Sequence, residues 1–463
     1  MKIGNINKTN FISWAMIFIG GVFLLLVMDE WLMSINNAEP FSLIPIVLGL
    51  LLYCVLEIVI IDRFKPVAWQ IRVFFITGLV LLMLLNIGVL ISGDDPFLFS
   101  DDRSYNEAAK AISQGYHVSI PLVYSGGYYY RFLGFLYSVI GPYTLNGRLV
   151  NFFALFVTAL SGYKIVNLSG SGRGKYFIWL LLFCCPALVF FSLFEFKDMI
   201  FTAMVFVMLY FCKRAHCCEK RLSISKGIFF GLAVYLCYIS WWFRVGVGVV
   251  FVLFNLIPII INQRMKTKTV ALAPAFFGLC SVSLVMANFT VFAELLPDSE
   301  KIVATKLIAY SESRLEKEQT SALQSYLIMK DTSDVFKAPV AVALIPFAPV
   351  NLFDSKDLLF FLFALFGTFS LVIHLGVLFA VIKGFKIARV DYYGVFLPTV
   401  ICLIILTWFN AGSSRQFLFL IPFLILVACL SNIDIRKMMF NGFMLTLSLY
   451  ALYYFMQLKE AFA

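Results

Sequence analysis

The chain has 463 residues, of which 62% are hydrophobic and 13% are charged, whereas a soluble domain is about half apolar and about a quarter charged. This balance excludes an ordinary soluble domain, because no soluble fold could bury that much apolar surface. The formal net charge of +10 does not indicate nucleic-acid binding, since the basic residues lie in short loops between hydrophobic runs and are typical of membrane orientation.

Long apolar runs recur along the whole chain. Runs of about 18 or more apolar residues can each cross a hydrocarbon core of about 30 Å as a helix, and they are too long for barrel strands. The pattern predicts an all-α fold, a polytopic transmembrane helix bundle of about 11–13 spans. The predicted spans are 11–33, 43–61, 71–92, 149–167, 176–194, 199–212, 227–243, 245–262, 270–293, 358–382, 393–409, 416–432 and 439–457. The first follows Lys2 and Lys8 without a small-residue cleavage site, so we expect it to be retained.

The loops between these spans differ in charge from one side to the other. With the N-terminus in the cytoplasm, every short basic loop falls on one face, which the positive-inside rule makes cytoplasmic. The other face receives the long polar segments, and all ten cysteines lie outside those segments, as expected in an oxidising compartment. The basic residues are Arg63, Lys65, Arg72, Arg173, Lys175, Lys213, Arg214, Lys220, Arg221, Lys226, Arg264, Lys266, Lys268, Lys383, Lys386, Arg389, Arg436 and Lys437.

Five regions follow from this topology. Residues 1–92 supply three N-terminal helices, and 93–148 form a first extracytoplasmic loop with an acidic motif and interfacial helices. Residues 149–293 supply the central helices, 294–357 a second extracytoplasmic segment, and 358–463 the C-terminal helices. We therefore expect the functional surface on the extracytoplasmic side.

The first external loop contains a predicted amphipathic helix. From Ser104 to Ser113 the apolar residues repeat at helical spacing, which favours a helix lying at the membrane interface. Asp101 and Asp102 precede this segment, where a carboxylate would cap the helix and meet the favourable end of its dipole. The functional interpretation is an ionised carboxylate at the membrane surface, acting as general base for an acceptor hydroxyl or as ligand of a divalent cation.

Four arginines lie at the external ends of predicted spans, against the charge bias of the other loops. They are Arg131, Arg148, Arg244 and Arg415. A guanidinium group binds phosphate through two parallel hydrogen bonds and stays charged, so converging arginines would suit an anionic lipid headgroup. The alternative is that each side chain extends toward phospholipid phosphates.

A tight external turn carries Glu195, Lys197 and Asp198 between two apolar runs. Charge at this depth is costly, so it either forms an internal ion pair or lines a site. In the functional interpretation Lys197 meets a donor phosphate, while Asp198 or Glu195 orients it or binds a metal. The aromatic run Tyr128–Tyr130 is interpreted as part of an interfacial aromatic belt.

Several features follow one another in a characteristic order. An acidic pair comes after a span, and an Asp-x-x-x-Tyr-x-x-Ala-like helix, a Gly-Tyr turn, Arg131-Phe-Leu-Gly-Phe-Leu and Gly-Pro-x-x-x-x-x-Arg148 come next. This order resembles the GT-C superfamily of polyprenyl-phosphate-sugar-dependent glycosyltransferases. The similarity runs to about Tyr210. That family places its loop after the first helix, whereas two further spans precede the loop here.

In that family an acidic motif in the first large external loop carries the catalytic carboxylate. The resemblance implies Asp101 and Asp102 in this role, with Asp94 and Asp95 as rivals that sit closer to the membrane. It also implies a bacterial inner-membrane enzyme that moves a sugar from a polyprenyl-phosphate-linked donor to a lipid-linked or cell-surface glycan acceptor. A divalent cation, Mg²⁺ or Mn²⁺, stays open as a cofactor, and the acceptors that stay open are lipid A, O-antigen, capsule and protein.

Two other functions stay open. A repeat-unit polymerase of O-antigen or capsule would share the external arginines and loops but would need no acidic base, and Arg415 before its Pro-containing span resembles an arginine of those polymerases. The other is a polysaccharide-lipid flippase or transporter. The lack of a clear internal repeat and the charges at the external ends of the spans weigh against transport.

Overall fold

A computed structural model describes most of the helical part of the chain. In chain order its helices are α1 Ala68–Ser92, α2 Ser100–Ser113, α3 Gly127–Ile140, α4 Thr144–Leu168, α5 Gly174–Phe183, α6 Pro186–Ser192, α7 Lys197–Cys217, α8 Ile224–Phe243, α9 Val247–Ile261, α10 Ala338–Leu344, α11 Leu358–Lys383, α12 Leu397–Phe409, α13 Ile421–Leu430 and α14 Ile435–Phe462. The described residues are 49, 64–92, 100–116, 118, 127–194, 197–217, 224–243, 247–261, 267–270, 337–344, 358–409 and 417–462.

Shorter elements complete the described part. Strands β1 Thr267–Val270 and β2 Phe385–Ala388 pair antiparallel. A helical turn, Arg389–Asp391, and a π-helical segment, Tyr392–Phe396, lead into α12. Turns of 3-10 helix, Lys65–Val67 and Leu418–Leu420, precede α1 and α13.

The helices confirm an all-α, membrane-type bundle. Within the described ranges, five helical segments are long and apolar enough to cross a membrane, or six if α5 and α6 count as one span. The five are Lys65–Leu85, Thr144–Leu168, Leu365–Lys383, Arg389–Thr407 and Ile435–Phe455. The predicted spans 11–33, 43–61 and 270–293 lie outside the described residues.

Two local features differ from the sequence prediction. The continuous helix predicted over 176–194 is bent by 68° between α5 and α6, because Pro186 lacks the N–H that helix continuation needs and fits the first turn of a new helix. The strands β1 and β2 form in two loops predicted to be cytoplasmic, within a fold predicted to be all-α. Pairing satisfies backbone hydrogen-bonding groups of the two strands.

The chain divides into two compact units, each made of separate chain segments. The first comprises Met1–Ser119, Tyr129–Phe153 and Ser192–Phe196, and the second comprises Ile120–Tyr128, Ala154–Phe191 and Lys197–Ala463.

In the first unit, α1 packs against the beginning of α4. The rings of Phe74 and Phe75 lie 5.8 and 5.6 Å from the ring of Phe152. Gly78 makes this approach possible, since a Cβ there would lie 2.0 Å from Phe152 Cζ. The same unit contains α2 and α3, which carry the candidate site.

The second unit is built around α13. All ten residues of Ile421–Leu430 are buried, as in a helix that is apolar on every side and lies in a core. The ring of Phe423 lies 4.8 Å from that of Phe206 on α7 and 4.4 Å from that of Phe251 on α9. Aromatic contacts therefore join α7, α9 and α13.

Candidate functional site

The acidic pair lies in the first turn of α2. The helix begins at Ser100, so Asp101 and Asp102 belong to it and do not merely precede it, as the sequence suggested. Their side chains lie outside the described residues. A carboxylate in the first helical turn is favoured in its ionised form by the helix dipole, which is the form that a general base or a metal ligand requires.

The buried face of α2 mixes polar and aromatic side chains. Tyr105, Asn106 and Ala109 are buried, whereas Glu107 is exposed. Asn106 Nδ2 donates to Thr144 Oγ1 at 2.8 Å, and Asn106 Oδ1 accepts from the Tyr137 hydroxyl at 3.0 Å. One asparagine thus fixes α2 to α3 and to the start of α4.

Aromatic rings fasten the N-terminal half of α2 to α3. The Tyr105 ring lies 5.2 Å from that of Tyr129, in an edge-to-face arrangement, and 5.0 Å from that of Tyr130. Tyr129 and Tyr130 are buried, so the assignment of these two to an interfacial aromatic belt is wrong. They help to position the helix that carries the acidic pair.

The other face of α3 is apolar and open. Phe132, Phe135 and Val139 are exposed, Phe135 by 68%, and Arg131 is exposed beside them. At 14 residues, α3 is too short to cross a bilayer. Its exposed aromatic face supports the prediction that it lies in the membrane interface.

Arg148 lies inside the first unit and not at its surface. It is 1% exposed, and its guanidinium carbon lies 5.7 Å from the centre of the Phe194 ring. An arginine that extends toward bulk phospholipid would be exposed, so burial argues against that interpretation for Arg148. The contact with the aromatic ring and the burial of the side chain restrict the orientations open to the guanidinium group.

Asn151, one turn after Arg148 on the same face of α4, connects three segments. Its Nδ2 donates to the carbonyl oxygen of Phe194 and to the Tyr129 hydroxyl, the latter at 3.3 Å. Within the described residues its buried Oδ1 accepts no hydrogen bond. Asn151 therefore ties the chain just before the external turn to both α3 and α4.

The other predicted site residues are placed differently. Lys197 and Asp198 start α7 and belong to the second unit, where both are half-buried. The structure thus groups the first turn of α2 with Arg131 and Arg148 in one unit. The remaining predicted residues, outside the described part, are Asp94, Asp95, Glu195, Arg244 and Arg415.

Sequence reasoning missed the residues that hold this arrangement together. Asn106, Tyr137 and Asn151 are polar side chains in helical segments, and none was proposed for the site. A usable signal was present at the start of α4, where Thr144, Arg148 and Asn151 follow the i, i+4, i+7 spacing of one helical face. Polar residues repeated at that spacing in a hydrophobic helix indicate an internal contact.

The Asn106 contacts lead to a prediction about stability. Changing Asn106 to leucine leaves the Tyr137 and Thr144 hydroxyls without these partners, and an unsatisfied buried polar group costs about 1–3 kcal/mol. We expect a lower thermal unfolding midpoint in detergent micelles for Asn106→Leu, and an unchanged one for Glu107→Leu on the exposed face. Equal midpoints for Asn106→Leu and wild type would contradict the importance of these hydrogen bonds.

The described residues contain no group of three or more His, Cys, Asp or Glu side chains placed to hold a metal ion. The Asp101 and Asp102 side chains are not among those residues, so no catalytic step is assigned to a metal. The chain matches no protein-family model, no curated protein and no solved structure.

Proposed function

We propose that the protein is a membrane-embedded glycosyltransferase. It moves a sugar from a polyprenyl-phosphate-linked donor to a lipid-linked or cell-surface glycan acceptor on the extracytoplasmic face. The observation that carries this proposal is the first compact unit, in which contacts of Tyr105, Tyr129, Asn151 and Phe194 connect α2, whose first turn carries the acidic pair, with α3 and the buried Arg148.

In the proposed reaction, the acidic pair acts as the general base. The oxygen of the acceptor hydroxyl bonds to the anomeric carbon of the donor sugar, and the bond from that carbon to the phosphate oxygen breaks. Polyprenyl phosphate leaves with the bonding electrons, and the proton of the hydroxyl passes to the carboxylate of Asp101 or Asp102. The first helical turn supports this role, because the dipole of α2 keeps a carboxylate ionised until it takes the proton.

Arg148 is suited to stabilise the phosphate that leaves the donor sugar. Negative charge grows on the phosphate as its bond to the sugar breaks, and a fixed guanidinium group stabilises such charge best where water is excluded. Arg148 is charged, buried and oriented by Phe194 and by its place on α4. Arg131, exposed on α3, is suited to the part of the headgroup that stays at the membrane surface.

The proposed orientation has the first unit's loop outside and the N-terminus in the cytoplasm of a bacterial inner membrane. Contacts in the second unit support it, because four loops predicted to be cytoplasmic meet one another. Arg173 Nη1 donates to the carbonyl oxygens of Ser431 and Ile433, and β2 joins the same segment through Ile387 and Ser431. The fourth loop contains β1, which joins this group of loops by pairing with β2.

Sugar transfer in proteoliposomes tests the proposal. Purified protein is given a panel of polyprenyl-phosphate sugars, and Asp101→Asn/Asp102→Asn is compared with wild type. We expect wild type to transfer sugar from one donor and the double variant to lose about a hundredfold or more of that rate, the range for loss of a general base. Glu107→Gln removes a carboxylate from the same helix but on its exposed face, so it should retain the wild-type rate.

The other outcomes separate the competing ideas. A double variant as active as wild type would move the base to another carboxylate, with Asp94, Asp95 and Asp198 to be tested next. No transfer by folded wild type with any donor would overturn the glycosyltransferase proposal and favour the polymerase or the flippase. Arg148→Lys keeps the charge but not the paired donors, so we expect kcat and kcat/KM for the donor to fall together, as for an interaction made in the transition state.

A further inference from the structure

Four loops meet at one end of the second unit, where hydrogen bonds hold them together. Arg173 Nη1 donates to Ser431 O at 2.6 Å and to Ile433 O at 2.7 Å, which fixes the start of α5 beside the turn that precedes α14. The backbone N–H of Asn432 donates to Lys386 O at 3.0 Å. The turn at 431–434 is thus held from both sides by specific contacts.

Basic side chains project from this surface. Lys175, Lys386, Arg436 and Lys437 are exposed, and each lies within a few residues of one of those contacts. The carboxylate of this turn is Asp434, whose Oδ1 accepts the backbone N–H groups of Arg436 and Lys437 at 3.1 and 3.3 Å. Asp434 is therefore occupied in capping α14, and the surface is strongly positive.

Helix stability does not account for these charges. Lys175 lies in the first turn of α5, and Arg436 and Lys437 lie in the first turn of α14. A basic residue near a helix N-terminus faces the positive end of the dipole and is unfavourable there. Their position fits the charge bias of cytoplasmic loops and favours an anionic partner outside the helices.

Exposed aromatic residues lie one turn further along both helices. Trp179, four residues after Lys175, is 49% exposed, and Phe440, four residues after Arg436, is 64% exposed. Residues four apart share a helical face. Each helix therefore presents a basic residue and then an aromatic one on the same side, which matches a phosphate group above the beginning of an acyl chain.

We infer that α5, α14 and the turn at 431–434 form a binding site for the headgroup of an anionic phospholipid. Lys175, Arg436 and Lys437 bind its phosphodiester, while Trp179 and Phe440 contact the glycerol backbone and the first carbons of the acyl chains. The occupant is a lipid of the surrounding leaflet, selected by charge. This inference does not depend on the proposed enzymatic activity.

Electron spin resonance with spin-labelled lipids tests the site. Wild-type protein is reconstituted in phosphatidylcholine vesicles with a trace of spin-labelled phosphatidylglycerol or spin-labelled phosphatidylcholine, and the motionally restricted fraction of each label is measured. We expect wild type to restrict phosphatidylglycerol preferentially. Basic residues at a membrane surface attract anionic lipid, so the triple variant Lys175→Gln/Arg436→Gln/Lys437→Gln should lose about fivefold or more of that preference.

Two further variants make the result decisive. Lys65→Gln/Arg103→Gln/Arg214→Gln removes three exposed positive charges elsewhere and should retain the preference. Lys175→Arg/Arg436→Lys/Lys437→Arg preserves the charge of the site and should also retain it. An unchanged preference in the glutamine variant would overturn the inference, because the selectivity would then be absent from the site. An equal loss in the Lys65→Gln/Arg103→Gln/Arg214→Gln variant would also overturn it, because the selectivity would then be shared with other basic residues.

Discussion

Changing Lys213 to methionine is expected to lower the free energy of unfolding by about 3–5 kcal/mol, the range for removing one partner of a buried ion pair. Lys213 Nζ lies 2.5 Å from Asp391 Oδ1, and both side chains are 3% exposed. The other carboxylate oxygen, Asp391 Oδ2, is buried and accepts no hydrogen bond from the described residues. Without Lys213 the negative charge of Asp391 would be buried without this partner.

The surroundings of the Lys213–Asp391 pair restrict how Asp391 can move when Lys213 is replaced. Asp391 directly precedes the π-helical segment Tyr392–Phe396. Asn255 of α9 donates to the Gly394 carbonyl oxygen at 2.8 Å, and a Cβ on Gly394 would lie 2.6 Å from Asn255 Oδ1. The backbone that carries Asp391 is therefore fixed close to α9 and has little freedom to turn the carboxylate toward water.

Two variants serve as controls for Lys213→Met. The double variant Lys213→Met/Asp391→Leu removes both charges and should regain most of the lost stability, since apolar replacement of a whole buried pair is often neutral. Arg214→Gln changes the exposed neighbouring residue and should have little effect. Unfolding by denaturant in mixed micelles measures all three, and a Lys213→Met variant as stable as wild type would show that the pair contributes little.

A second large effect is expected at the contact between α11 and α14. A Cβ on Gly442 would lie 2.0 Å from the Val372 carbonyl oxygen and 3.0 Å from the Gly376 N atom. Both are backbone atoms, which cannot move aside as a flexible side chain can. Glycines allow helices to approach this closely in membrane proteins, so Gly442→Ala should separate the two helices and cost about 2–4 kcal/mol.

The matched control for Gly442→Ala lies on α11 itself. A Cβ on Gly367 would meet nothing within 4 Å, so Gly367→Ala should be neutral or stabilise the helix by up to about 1 kcal/mol. Thermal unfolding of both variants in the same detergent gives the comparison. Similar midpoints for the two would contradict the close approach at Gly442, because both changes add the same single methyl group.

Much of the helical framework could be predicted from the sequence, because a long apolar run is a strong local signal. The runs at 71–92, 149–167 and 358–382 correspond to α1, α4 and α11. The position of α2 followed from helical spacing in the loop predicted to be the first external one, whereas the segment of α3 was expected at the interface only from the family resemblance. For the candidate site, the sequence pointed to the acidic pair and to Arg148, because their charge is unusual beside predicted spans.

Long-range contacts could not be predicted in this way. The Lys213–Asp391 pair joins residues 178 positions apart, and Lys213 was expected in a solvated basic loop, whereas the structure buries it in α7. Asn106 and Thr144 lie 38 positions apart, and nothing near either residue identifies its partner. The break between α5 and α6 was visible in Pro186, but its 68° angle depends on the neighbours of both helices.

The position of α13 in the chain determines when the core of the second unit can form during synthesis. Its residues are buried on every side, yet Ile421–Leu430 follows α7, α9 and α11 in the chain. Translation proceeds from the N-terminus, so the helices that surround α13 are synthesised and enter the bilayer before their central element exists. The core of the second unit is therefore completed only after α13 has been synthesised.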